Sequence, residues 1–424
     1  MADLLFEGAR LLDPASNTDI IGNLLVRRGK ILDFGGNLGR PDGAEVIDAQ
    51  DLVLAPGLVD MRAAVGEPGY EYRETIKSAS RAASSSGITS LAVLPDSKPA
   101  IDDPALARLL RARGDEIGAV SIHPYGALTR GCAGEEMAEL GLLREAGAVA
   151  FSDGRKALAD SRLMRRALSY ARGFGARVAQ HPEDPALAEG GSATEGELAT
   201  RLGLPGIPAA AEAIMVARDI RLAELTGGSL HFGHVSTAEA IELIRRAKHA
   251  GVDVTCDTAP PYFDLNEQAI GDFRSYAKLS PPLRPESDRL AVVAGLADGT
   301  IDALASDHQP RDADDKRYPF AQASAGGAGL ATLLGVTLAQ VHNGALSLSA
   351  AIALLSHRPA AVLGIDAGRL AIGAVADLCL FHPQTIWKVE AGKLPGKAQN
   401  TPFDGRALEG RVIGTWKRGV RVFG

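Results

Sequence analysis

Across residues 55–364 the chain alternates short apolar runs with amphipathic stretches, the pattern of repeated βα units around a parallel sheet. The runs predict strands at Gly57 to Met61, Thr89 to Leu94, Ala148 to Ser152, Arg177 to Gln180, Ser229 to Gly233, Asp253 to Cys256 and Ala303 to Ser306. Helical patterns separate them. The clearest runs from Thr237 to His249, with Ser236 and Glu239 as a capping box and Gly251 beyond its end, and another runs from Ser161 to about Arg172. No GxGxxG follows the first strand, so so many βα units favour a (β/α)8 barrel over an open dinucleotide-binding sheet. The ends differ in texture. Short strands with turn signals at Leu4 to Leu12, Leu24 to Arg28, Lys30 to Phe34 and Glu45 to Asp48 are matched by Asp377 to Phe381, Val412 to Lys417 and Val420 to Phe423. The expected organisation is therefore an α/β chain: a barrel over 55–364 and one small composite β-sandwich built from 1–54 and 365–424.

Composition narrows the function classes. The 424 residues carry 45 Lys+Arg and 52 Asp+Glu, a formal net charge of −7, with no long basic run, which argues against a nucleic-acid binder. Cys132, Cys256 and Cys379 are scattered, giving neither a disulfide framework nor a zinc knuckle. The first residues lack a basic leader with an apolar core, and no stretch approaches ~18 uninterrupted apolar residues. A cytoplasmic protein with no membrane partner is expected.

In a barrel, reactive groups lie where strands end. Asp153, His181, His234 and Asp307 all occupy such positions. Imidazole nitrogens and carboxylate oxygens directed at one pocket suit zinc, whose bound water becomes a nucleophile near neutral pH.

Longer motifs carry a resemblance over nearly the whole chain. They are Glu67-Pro68-Gly69-Tyr70-Glu71-Tyr72-Arg73-Glu74-Thr75, His181-Pro182-Glu183-Asp184, His234-Val235-Ser236-Thr237, Ser280-Pro281-Pro282-Leu283-Arg284 and Ser306-Asp307-His308-Gln309-Pro310. On these the chain resembles the type I dihydroorotases of the amidohydrolase superfamily. Hydantoinase-like and allantoinase-like relatives usually carry a lysine at the segment that reads Phe151-Ser152-Asp153 here, so the dihydroorotase branch fits better. The resemblance implies a TIM-like metallohydrolase barrel with a composite β-sandwich, and reversible cyclisation of N-carbamoyl-aspartate to dihydroorotate. It also implies a catalytic proton shuttle at Asp307.

The same motifs depart from the family at its metal site. Active members read Asp-x-His-x-His-x-Arg-Glu-Pro-Gly, the histidines binding one metal ion and the arginine the substrate carboxylate. Here Arg62 and Ala64 stand at the histidine positions and Gly66 at the arginine. A methyl group offers no lone pair and a guanidinium stays protonated. Arg62 is expected to turn inward to Asp307 or Asp153. Asp153, His181 and His234 match the positions that hold the second metal, a residual half-site for at most one zinc ion. Among the substrate-contact positions, Asp96 replaces an asparagine, Ser280 another asparagine and Arg311 a histidine. Several changes aimed at one pocket point to a family member lacking the HxH metal motif and impaired or inactive as an enzyme. The resemblance implies a role in supporting aspartate carbamoyltransferase within a homo- or hetero-oligomer. The competing expectation is an active cyclic amidohydrolase using the half-site.

Overall fold

The computed structural model describes residues 3–36 and 38–424; Met1 and Ala2, where the reading for a leader begins, lie outside the described residues. Eight successive strand positions build the barrel: Leu58–Ala63, Ile88–Val93, Ser121–Pro124 continued by Gly126–Ala127, Phe151–Ser152, Arg177–Gln180, Ser229–Phe232, Val254–Thr258 and Ala303–Leu304. All neighbours pair in parallel. The ring closes where Ala63 bridges His308 and the Ala64 amide donates to the His308 carbonyl at 2.7 Å. Asp60 fastens the same seam, accepting the Ser306 amide at 2.9 Å and the Ser306 hydroxyl. Burial pushes the Asp60 carboxyl up to about 6, against the pull of the Ser306 bonds.

Val59, Met61, Ala92, Ala179, Ala303 and Ala305 fill the inner barrel, small residues predominating where the strands converge. Leu58, Leu91, Phe151, Phe232 and Ile244 belong to the larger layer between strands and helices. Each such side chain, fully buried, contributes about 1.5–3 kcal/mol.

The seven strands expected from sequence are present with ends shifted by a few residues, and an eighth position joins them at Ser121–Pro124. The helix at Ser161–Arg172 has the expected bounds. The capping box at the Ala238–His249 helix does not form. Thr237 is its N-cap, accepting from the Ala240 amide, while the Ser236 hydroxyl turns to Glu212. A buried carboxylate 24 residues upstream outcompetes local capping.

Both chain ends meet in one continuous eight-stranded sheet. The strand Val53–Pro56 lies at its centre, pairing Leu11 on one side and Leu378–Phe381 on the other, so it runs across the expected boundary at residue 54. The sheet has its own core, in which Phe6 meets Trp416 edge-on at 4.8 Å. No helix among the described residues is long and apolar enough to cross a membrane.

Candidate active site

Every expected strand-end group lies on the rim of the barrel, and two of them sit in strained backbone. His234 and Asp307 have φ of 40° and 44°, a left-handed conformation that costs about 1–3 kcal/mol for a residue with a side chain. His234 is held there by its amide, which donates to Asp257 Oδ1 at 2.6 Å. Asp257 is itself fixed by His231 Nε2 at 2.8 Å.

Arg62 turns inward. Its Nε donates to Asp307 Oδ1 at 3.1 Å and its Nη2 to the Gly154 carbonyl at 3.1 Å, with both side chains of the ion pair at most 10 % exposed. Room for the guanidinium comes from Gly233, where a Cβ would lie 2.9 Å from Arg62 Nη1. Of the two acceptors expected for Arg62, the structure selects Asp307. Asp153 is already engaged, accepting the Thr129 amide at 2.8 Å and the Thr129 hydroxyl at 2.6 Å. Burial raises the Asp153 carboxyl above its ordinary range despite those bonds.

A continuous chain of contacts runs on from Asp307. His234 Nδ1 lies 3.2 Å from Asp307 Oδ1, and His234 Nε2 is 2.6 Å from His181 Nδ1. His181 Nε2 is 3.5 Å from Glu183, which also accepts the Ser280 hydroxyl at 3.1 Å. Burial, reinforced by the Arg62 charge, drives His234 down to about 4, so its imidazole is neutral at neutral pH. Burial opposes ionisation of Asp307, but His234, Arg62 and the Gln309 amide outweigh it and hold the carboxyl well below the usual range.

This arrangement does not fit a zinc ion. Two imidazole nitrogens bound to one tetrahedral zinc at ~2.05 Å stand about 3.3 Å apart. Here they are 2.6 Å apart, at hydrogen-bond distance from each other. Both oxygens of Asp153 are turned to Thr129, and Arg62 places a permanent cation against Asp307. Among the described residues no three His, Cys, Asp or Glu side chains are grouped to hold a metal. Thus the structure brings His181, His234 and Asp307 together and directs Asp153 elsewhere.

The substrate-contact positions are also engaged internally. Asp96 pairs with Arg155 at 2.5 Å, so its charge is neutralised rather than presented to an anion. Ala64, Gly66, Asp96 and Arg155 line a residual cavity of about 20 Å³, and Asp307 borders another of about 10 Å³. Each has room for about one water. Gly66 closes the space by its backbone: a Cβ there would lie 2.1 Å from the Tyr70 carbonyl oxygen and 2.5 Å from that of Glu74. The glycine-rich segment 324–330 is pinned, Gly326 donating to the Lys278 carbonyl at 3.0 Å and accepting from Asn400 at 2.9 Å. Arg311 faces a different cavity, its Nε donating to the Ala325 carbonyl at 2.6 Å.

Sequence reasoning passed over Thr129, Arg155, Glu183, Gln309 and Glu212. Glu183 and Gln309 stood inside quoted motifs, adjacent to residues already singled out. Thr129, Arg155 and Glu212 carried no local signal, since each acts across the fold.

The His234 environment sets a pH dependence. Its folded pKa of about 4 lies below an unfolded value of ~6.5, so the unfolded chain takes up the proton first and stability falls as pH drops from 6.5 towards 4. Asp60 acts in the opposite sense, its raised carboxyl making stability fall as pH rises from ~4 to 6. Comparison with His234→Gln isolates the histidine. Between pH 6.5 and 4.5 the unmodified chain is expected to lose roughly 2–3 kcal/mol more than the variant in urea unfolding. Parallel curves would refute a buried neutral imidazole.

The dihydro-orotase-like family model matches residues 51–240. The chain is 46 % identical over 421 residues to a dihydroorotase of Pelobacter propionicus and 44 % identical to one of Citrifermentans bemidjiense, 99 % of each chain being covered in both cases. Among solved structures, the L-hydantoinase (dihydropyrimidinase) of Arthrobacter aurescens superposes with a TM-score of 0.88 at 24 % identity, covering 99 % of this chain and 96 % of that one. The dihydropyrimidinase of Brevibacillus agri gives 0.83, also at 24 % identity, over 99 % of this chain and 94 % of that one. Those structures share the barrel fold, and the full-length sequence identity establishes the family: the chain belongs to the dihydroorotase family.

Proposed function

We propose that this dihydroorotase-family chain is a catalytically impaired member of pyrimidine biosynthesis that supports the assembly of aspartate carbamoyltransferase. The observation that carries the reading is the Arg62–Asp307 ion pair. The carboxylate that serves as proton shuttle in active members is here bound to a fixed cation, at the strand whose histidines would hold a metal. A carboxylate held ionised by His234 and the Arg62 guanidinium is a poor proton acceptor, because general-base efficiency falls as pKa falls below the working pH. The residual cavities are too small for a six-membered ring substrate. The barrel frame is nevertheless complete, which suits a protein kept for its surface.

Mixing the chain with the carbamoyltransferase of the same organism and measuring mass by light scattering tests the partner role; the expected result is a joint species, and two species that never co-migrate overturn it. Turnover of dihydroorotate with added zinc or manganese tests the impairment. The expected rate is at background, and a rate above it that disappears in His181→Ala establishes the competing reading, an active amidohydrolase on a half-site. That reading draws its support from the full-length identity to relatives named dihydroorotase.

A further inference from the structure

Away from the strand ends, a cavity of about 200 Å³ is walled by Arg73, Arg311, Lys316 and Lys397, with Tyr72 and Tyr276 beside them. Its cations are poorly neutralised. Arg311 donates through Nε to the Ala325 carbonyl, Lys316 Nζ to the carbonyls of Ser275 and Lys278 at 3.0 and 3.2 Å, and Lys397 Nζ to that of Glu71 at 2.7 Å. Among the described residues only Arg73 is ion-paired, to Asp315 at 3.2 Å, and its buried Nε has no hydrogen-bond partner; Asp315 acts on Arg311 and Lys316 at longer range. Asp312, the one acid in the wall, is engaged in capping the Asp314 amide at 2.9 Å.

Burial, with repulsion from Arg311 and Lys278, pushes Lys316 down to about 7, and burial with Arg155 and Arg73 pushes Arg311 down to about 10. Concentrated, partly desolvated cations cost free energy unless an anion compensates them. Four basic side chains arriving from three segments, Lys316 among them titrating at about 7, match an ion with several acceptor oxygens and a double charge better than a single carboxylate. The remaining volume and the two tyrosines leave space for an organic substituent.

We infer that this cavity is a binding site for a phosphate-bearing small molecule, held by Arg73, Arg311, Lys316 and Lys397. None of Asp153, His181, His234 and Asp307 lines it, although Arg73 also borders the small cavity beside Gly66 and Arg311 stands at a substrate-contact position of the resemblance.

Calorimetric titration of the full chain with inorganic phosphate, at ionic strength held constant with chloride, tests the site. Saturable binding is expected, weakened about tenfold by Arg311→Ala and by Lys397→Ala, as expected for loss of a charge-assisted contact. Arg369→Ala, a surface cation paired with Asp366, leaves it unchanged. Lys397 is exposed, so its variant keeps the test open if Arg311→Ala fails to fold. Absence of saturable heat, equal affinity in wild type and the Lys397→Ala variant, or tighter binding of malonate than of phosphate would each overturn the assignment.

Discussion

Arg62→Met lowers the free energy of unfolding by about 3–5 kcal/mol, the usual consequence of stranding one member of a buried ion pair. Methionine fills much of the same volume, so lost packing is a minor part of the effect. The larger part is electrostatic: Asp307, only 10 % exposed, keeps Gln309 but loses the single permanent cation that contacts it, and the Gly154 carbonyl loses its donor. A compensating change separates this account from steric damage. Arg62→Met combined with Asp307→Asn removes both charges, and it is expected to regain more than half of the loss in urea unfolding at neutral pH. A single-variant cost below about 1 kcal/mol would show that the pair does not hold the pocket. The same variant relieves His234 of the Arg62 repulsion, so its pKa rises, visible as an upfield-to-downfield titration of the imidazole resonances at higher pH than in the parent.

Glu212→Ala is expected to be equally severe, again about 3–5 kcal/mol. Glu212 sits at 1 % exposure in the first turn of the Ala210–Thr226 helix. It accepts the amides of Ser236 and Thr237, each at 2.9 Å, together with both hydroxyls, and faces Arg284 at 3.8 Å. Deletion strands two backbone donors and a guanidinium that is itself 2 % exposed. Those amides lie just beyond His234 and Val235, so the loss is local as well as global: hydrogen exchange at Ser236 and Thr237 accelerates before the rest of the barrel opens. Glu212→Gln retains one acceptor oxygen and is expected to cost about half as much. An alanine variant as stable as the parent would place the anchoring of this loop elsewhere.

How far the sequence revealed all this depended on whether an interaction is local. Barrel strands announce themselves as apolar runs because they are buried on both faces. Ser121–Pro124 escaped because Ile122 alternates with Ser121 and His123 and a proline ends the run. The inward turn of Arg62 was legible from charge alone, since a buried guanidinium needs an acid. Its choice of Asp307 depended on Thr129 occupying Asp153, a contact across 24 residues with no periodic signature. Asp96 read only as a substitution for asparagine, because Arg155, 59 residues away, gives no hint of pairing with it. Ser236 looked like a cap for the same reason: Glu212 captures it from another helix.

The tight turn at Gly66 bears on the history of the chain. Regaining the family's arginine there needs more than one codon, because even the first carbon of any side chain collides with the carbonyls of Tyr70 and Glu74. The turn cannot simply be relaxed, since the Glu74 carboxylate receives the Lys397 amide at 3.1 Å and lies 3.5 Å from His308 at the barrel seam. Position 66 is thus a one-way constraint on substitution: a side chain there requires the Tyr70 and Glu74 carbonyls to move together with the seam they help to hold, whereas the outer surface carries no such coupling.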